Sequence, residues 1–309
     1  MQYAAVPGCD LPLSRLIFGA ANPDMQKNQN VDALLDAIFA AGITAFDTAR
    51  IYGESEVCLG KWMEKRGNRE KIFLITKGCH HNAWRKRVTP YDLRSDLADS
   101  LAWLQTDYID LYLLHRDDPA QPVGPIVETL NEMHAAGKIR CFGGSNWTHQ
   151  RLMEANEYAA AHHLLPFSAS SPFYSLVDQY GDPWRDGVKL TGAENQDARA
   201  WYRENQMPVL AYSSMGRGFL AGKFQSDMPL SAFPGEHQSE ENLEKLRRTE
   251  CLAREKGCSV SQIALSWLLH QEQNVFPVLG IRNEAQLKEN LGALEVHLTA
   301  EECCFLNLE

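Results

Sequence analysis

The chain has 309 residues, 44% hydrophobic and 23% charged, which is ample for one large packed core and excludes a fibrous or disordered chain. Its formal net charge of −10 disfavours nucleic acid and anionic membrane surfaces as partners, and no stretch reaches the ~20 consecutive apolar residues that a membrane span requires. The eight cysteines form no CxxC pair and fit neither a disulfide framework nor a zinc site, and residues 1–16 have no apolar leader core, so a reduced, cytoplasmic protein is the expectation.

Along the chain, short apolar runs alternate with longer amphipathic stretches. The segment 1–13 precedes the first run, 15–20, and is expected to cover one end of the fold. Val31, Leu34, Leu35, Ile38 and Phe39 then share one helical face, and Gly42 stands where a left-handed residue would end that helix. Runs at 45–49 and 72–77 predict the second and third strands, with Gly67 closing the helix between them. Thr89-Pro90 reads as an N-cap followed by a first-turn proline, and Leu93, Leu97, Leu101 and Leu104 line the helix that follows. The fourth to eighth strands are predicted at 110–115, 140–146, 167–173, 208–215 and 274–280. Gly137 and Gly257 end helices among them, while Ser259 with Gln262 and Asn283 with Gln286 have the spacing of capping boxes or their near relatives. Alternating strands and helices imply a parallel sheet, either open and doubly wound or closed. A count of eight strands with no compositional break favours a single-domain (β/α)₈ TIM barrel over 1–309. Its active site belongs at the C-terminal ends of the strands. The irregular segments 175–197 and 224–241 follow late strands and are expected as loops on that face.

Those strand ends carry a coherent set of side chains. The second delivers Asp47, with Tyr52 in the loop beyond it; the third delivers Lys77 and the fourth His115. Reduction of a carbonyl needs a proton donor and something to stabilise charge growing on oxygen. A phenol titrating near ~10 is a poor acid until an ammonium stabilises its phenolate. An aspartate keeps that ammonium charged and in place, and an imidazole polarises or orients the carbonyl. Singly, each residue reads as a cap, a packed aromatic or an ordinary polar strand end; together they read as a site. The adjacent pairs His80-His81 and His162-His163 are expected at the surface or in local packing, so no metal site is expected. Cys79 reads as a buried thiol, and Trp84, Trp147 and Trp184 as rim residues that either shape a pocket or simply pack.

The stretch from Phe46 through Asp47 and Tyr52 to Gly53 resembles the signature of the aldo-keto reductase family. So do Ile109 to His115, Gly137 to Arg140 leading into Gly143-Gly144-Ser145-Asn146, and Leu210 to Gly218. The resemblance implies an NADP(H) cofactor, with NAD(H) an alternative, bound in an extended pose without a dinucleotide-binding domain of the doubly wound kind. It implies Tyr52 as general acid, Lys77 tuning it, Asp47 pairing with Lys77, and His115 positioning the carbonyl. It places Ser145 and Asn146 on the nicotinamide amide, and Ser171 where many members carry glutamine. Tyr212 would stack on the nicotinamide ring. The turn containing Ser213, Met215, Gly216 and Gly218 would present backbone N–H groups to the pyrophosphate. Gly280, Arg282, Gln286 and Asn290 would meet the adenosine end, with Arg282 on the 2′-phosphate.

The function so implied is hydride transfer between NADP(H) and an aldehyde, ketone or sugar carbonyl, with oxidation of a sugar hydroxyl as the reverse direction. Two other classes share parts of the pattern. A regulatory or redox-sensing module of the same fold would keep the cofactor with slow turnover. A metal-dependent barrel hydrolase would need more histidines and carboxylates at the strand ends. Substrate identity lies in rim loops that vary on a constant scaffold, and the oligomeric state is left open.

Overall fold

The computed structural model describes residues 1–309. A two-stranded antiparallel hairpin, β1 (Tyr3–Ala4) and β2 (Leu13–Ser14), precedes eight parallel strands: β3 (Ile17–Gly19), β4 (Ala45–Asp47), β5 (Phe73–Gly78), β6 (Ile109–Leu114), β7 (Ile139–Ser145), β8 (Ala169–Ser171), β9 (Val209–Ala211) and β10 (Val275–Leu279). They close in sequence order, with β10 pairing back onto β3. The helices that return the chain are the short α1 (Pro23–Gln26), then α2 (Asp32–Ala40), α3 (Ser55–Arg66), α4 (Pro90–Leu104), α5 (Val123–Ala135), α6 (His149–Ala161) and α7 (Gln196–Asn205). Both α8 (Glu240–Lys256) and α9 (Val260–Leu269) lie between β9 and β10, and α10 (Glu284–Gly292) and α11 (Ala300–Asn307) end the chain. No helix is long and apolar enough to cross a membrane. Each predicted strand is present, but β3, β4, β8 and β9 are three residues each, shorter than the apolar runs that contain them. Beyond Ser171 and Ala211 the two strands diverge into loops, leaving a single bridge between Phe173 and Tyr212.

Local signals act as read. Thr89 accepts the Asp92 N–H at the start of α4, with Pro90 at the first helical position. Ser259 and Gln262 form a reciprocal capping box on α9. At α10 the reciprocity fails: Asn283 accepts the Gln286 N–H, but the Gln286 side chain caps the Arg282 N–H instead.

The decisive pattern is the two-residue alternation of the strands. One apolar cluster joins Ile17, Ala45, Phe73, Ile75, Leu111, Leu113, Cys141, Ala169, Leu210 and Phe276, which fill the barrel interior. Val6 and Leu13 of the N-terminal segment join this cluster, so the hairpin plugs the barrel floor. The opposite faces, with Phe46, Leu74, Tyr112, Leu114 and Phe142, pack against the helices in a second and larger cluster. Each fully buried leucine contributes about 1.5–3 kcal/mol by leaving water. Gly143 is required for closure, because a Cβ there would stand 2.1 Å from the Ala169 carbonyl oxygen of β8.

The fold brings together one pair of cysteines that their spacing does not reveal. Cys9, in the loop of the hairpin, and Cys141, on the inner face of β7, face one another as a candidate disulfide pair with Cα atoms 6.2 Å apart. They are 132 residues apart in sequence, and only closure of the barrel over its plug brings them together. Spacing along the chain carries no trace of such a pair.

Candidate active site

Continuing the inward row by two residues places polar groups on top of the apolar interior. Above Ala45 comes Asp47, above Ile75 comes Lys77, and above Leu113 comes His115. The same parity carries Cys141 to Ser145, Ala169 to Ser171, and Leu210 to Tyr212. Six strands thus aim six polar side chains at one rim because of a single alternation.

Asp47 and Lys77 are both buried, and Lys77 Nζ donates to Asp47 Oδ1 at 2.6 Å and to the Thr48 carbonyl at 2.9 Å. Burial works against the Lys77 ammonium, but the charge of Asp47 and the nearby Tyr52 outweigh it, so its pKa rises and the lysine stays protonated. Nζ lies 5.3 Å from the centroid of the Tyr52 ring. The His115 ring meets Tyr52 edge-on, with centroids 5.7 Å apart. Burial, reinforced by Lys77, His80 and Arg116, holds the His115 pKa well below its usual value, so the imidazole is neutral, and its Nδ1 has no hydrogen-bond partner.

The phenol does not follow the expectation that Lys77 lowers its pKa. Burial pushes the Tyr52 pKa up, and the opposing pull of Lys77 is the smaller effect. A lysine can be recognised in a motif, but desolvation of the phenol is visible only once the loop is folded over it. Tyr52 is therefore a held proton rather than a preformed phenolate, with an ammonium beside it to receive the charge when that proton leaves.

The residues assigned to the nicotinamide end converge, but they are already engaged with one another. Asn146, in a left-handed conformation at φ 57°, donates to the His115 carbonyl and to Ser145 Oγ at 3.2 and 3.1 Å. Its Oδ1 accepts from the Tyr212 hydroxyl at 2.8 Å and from the Val188 N–H at 3.1 Å. Ser145 Oγ donates to the Ser171 carbonyl, and Ser171 Oγ donates to the Leu210 carbonyl.

The turn after β9 contradicts one detail. The N–H groups of Gly216, Gly218, Phe219 and Leu220 are spent on turn hydrogen bonds to Ser213, Met215 and Gly216 carbonyls, so these four do not face a pyrophosphate. Left-handed residues, Ser213 and then the consecutive Gly216, Arg217 and Gly218, fold this segment back onto itself. Gly218 nevertheless borders open space, as does Gly280 at the end of β10: a Cβ at either would meet nothing within 4 Å. Arg282 is exposed and free of any acidic partner, one residue before the Asn283 cap of α10. Asn290 is buried two turns into that helix, while the exposed Gln286 caps the turn at Arg282. The unpaired guanidinium of Arg282 and the neutral hydrogen-bonding groups of Ser145, Asn146 and Ser171 are of the chemistry that a dinucleotide carrying an extra phosphate needs.

Some rim residues were misread or missed. His80 packs edge-on against His115 with centroids 4.8 Å apart, so it borders the site rather than the general surface. With Arg50, Ile51, His81 and Asn82 it lines a cavity of about 310 Å³. Trp147 is fully buried and donates its indole N–H to the Arg116 carbonyl, whereas Trp84 projects into solvent. Trp184 belongs to the rim, where its carbonyl accepts from Arg116. No three or more His, Cys, Asp and Glu side chains group with metal-holding geometry. Arg116 itself carried no motif signal beyond its place after His115.

Known proteins resemble the chain over nearly its full length. The family model described as "Aldo/keto reductase family" matches residues 15–304. Aldo-keto reductase str7 of Strobilurus tenacellus is 31% identical over 287 residues, covering 87% of this chain and 77% of that protein. Aldo-keto reductase yakc [NADP(+)] of Schizosaccharomyces pombe is 32% identical over 273 residues, covering 84% of this chain and 76% of that one. The crystal structure of the thermostable aldo-keto reductase Tm1743, solved with the inhibitor epalrestat, superposes with a TM-score of 0.77 at 26% identity, covering 100% of this chain and 99% of the other. With an eight-stranded parallel barrel and a match from residue 15 to residue 304, the chain belongs to the aldo-keto reductase family of oxidoreductases.

Proposed function

We propose that this protein is an NADP(H)-dependent reductase of aldehydes, ketones or sugar carbonyls, and that Asp47, Tyr52, Lys77 and His115 are its catalytic residues. The observation that carries this reading is the buried Asp47–Lys77 ion pair set beside a protonated Tyr52 that is itself in contact with a neutral His115. The NADP(+) in the name of the Schizosaccharomyces pombe relative agrees with the free Arg282 and supports this cofactor.

NADPH, when bound, supplies the hydride. Tyr52 delivers the proton to the carbonyl oxygen. Lys77 stabilises the phenolate left behind, and Asp47 holds Lys77 charged and in place. Neutral His115 is suited to donate a hydrogen bond to the carbonyl oxygen without competing as a stronger acid. Such proton transfer typically contributes ~10²–10⁴-fold, and preorganised donors in a site with little water add to it. Tyr212 would offer a ring face to the nicotinamide, Ser145, Asn146 and Ser171 would hold its amide, and Arg282 would meet the 2′-phosphate. Gly216, Gly218, Ser213 and Met215 shape the turn over the cofactor's middle, and Gly280, Gln286 and Asn290 its adenosine end.

The test is direct. Titration with NADPH and NADH by cofactor fluorescence is followed by NADPH consumption with aldehydes, ketones and sugars. Tight NADPH binding with multiple turnovers is expected; absence of binding to both cofactors would refute the proposal.

A further inference from the structure

Arg116 is a buried cation without a carboxylate. It is 5% exposed, directly follows His115, and makes no ion pair. Its guanidinium is held by two backbone carbonyls, those of His115 at 2.9 Å and Trp184 at 3.1 Å. A guanidinium carries five N–H donors in a planar fork, so two contacts leave part of that fork unused. A charge removed from water is ordinarily paired, and the nearby arginines are: Arg87 with Asp96, and Arg151 with Asp117.

The acids on the neighbouring loop are committed elsewhere. Asp182 accepts the N–H groups of Trp184 and Gly187. Asp186 faces His81 at 3.5 Å and Lys86 at 3.8 Å. Arg116 shares the His115 carbonyl with Asn146, whose Oδ1 accepts from the Tyr212 hydroxyl, which places the guanidinium at the reacting end of the site; Asp182 and Asp186 act on it electrostatically, as do Tyr212 and Tyr52, but neither acid forms an ion pair with it. Its backbone is fixed from both sides, because Asn146 donates to the His115 carbonyl and Trp147 donates to that of Arg116. A fixed cation at this end of the site, with spare donors and no ion pair, is a specificity device for an anionic substrate group.

We propose that Arg116 binds a carboxylate on the substrate, so that the preferred substrates are aldehydes or ketones carrying a carboxylate group. This rests on the reading of the chain as a carbonyl reductase. Arg116 acts in binding and takes no part in proton transfer. A planar carboxylate matches the guanidinium fork, and burial strengthens the attraction because little water screens it.

The experiment compares succinic semialdehyde with its methyl ester, which keeps the aldehyde and removes the charge, in the wild type, Arg116→Gln and Arg116→Lys. A parallel calorimetric titration of the NADPH-loaded proteins uses succinate and the neutral succinamide, which are not reduced. The wild type is expected to prefer the free acid by about 10- to 100-fold in kcat/KM, mostly through KM. Arg116→Gln should abolish that preference and the binding of succinate, while Arg116→Lys should retain part of both. The Kd for NADPH should be the same in all three proteins, which also shows that the variants are folded. Equal use of acid and ester by the wild type, or a preference that survives in Arg116→Gln, overturns the proposal. So does a rise in the NADPH Kd with the acid preference intact, which would assign Arg116 to a cofactor phosphate. Should the wild type turn over no carbonyl compound, the reductase reading fails, and the succinate titration decides the anion site by itself.

Discussion

The Tyr212 hydroxyl donates to Asn146 Oδ1 at 2.8 Å, joining the proposed stacking ring to the side chain proposed for the nicotinamide amide. The two are 66 residues apart, on loops that follow different strands. For Asn146 to turn its carbonyl toward a ligand, this bond has to be exchanged. Tyr212 is therefore expected to matter through its ring and not its hydroxyl.

Tyr212→Phe should leave the NADPH Kd within about threefold of wild type, since the ring remains and a competing hydrogen bond is lost. Tyr212→Ala should weaken binding by about 0.5–1.5 kcal/mol, the usual worth of an aromatic contact. Fluorescence titration separates the two. A loss in Tyr212→Phe as large as in Tyr212→Ala would show that the hydroxyl carries the interaction.

The Asp47–Lys77 pair is buried on both sides, so removing one partner strands the other charge. Asp47→Asn or Lys77→Met should each cost about 3–5 kcal/mol of stability, while the double variant should recover a substantial part of that loss. All three should be nearly inactive. Chemical denaturation measures the coupling, and simple additivity of the two single losses would contradict the pairing.

The buried imidazole of His115 gives a signed pH dependence. Its folded pKa lies below the ordinary 6.5, so the unfolded chain takes up a proton that the folded chain refuses. The resulting stability is fully present above about pH 6.5 and is lost as the pH falls from there toward the folded pKa, by up to ~1.4 kcal/mol per pH unit. His115→Asn should flatten that acid-side slope. Denaturation curves from pH 8 to pH 5 with the same slope in both proteins would show that His115 is not the buried neutral group.

Arg282 is exposed and unpaired at the start of α10. Arg282→Ala should raise the Kd for NADPH by about tenfold, in keeping with a charge-assisted phosphate contact, and leave that for NADH unchanged. Equal losses for both cofactors would remove the 2′-phosphate from its role.

The legible parts of the fold and site were those set by short-range rules. Eight apolar runs fixed the strand count, and the alternation that puts Ala45, Ile75 and Leu113 inside the barrel also carries Asp47, Lys77 and His115 to the rim. What depends on loop geometry stayed hidden. The spent N–H groups of Gly216 and Gly218 follow from left-handed residues that a glycine pattern suggests but does not arrange. His80 reads as half of a surface pair until the loop after β5 turns it onto His115. Cys9 meets Cys141 only because the N-terminal hairpin plugs the barrel. Arg116 looked like any polar residue after a strand, and its missing partner is a property of the folded neighbourhood alone.

The most direct test compares NADPH-dependent carbonyl reduction by the wild type with that by Tyr52→Phe, with the NADPH Kd measured for both. The expected result is sustained turnover by the wild type, a kcat lower by ~10²–10⁴-fold in Tyr52→Phe, and the same Kd for both. An unchanged kcat in Tyr52→Phe would contradict the assignment of Tyr52 as the proton donor and, with it, the mechanism proposed for this site.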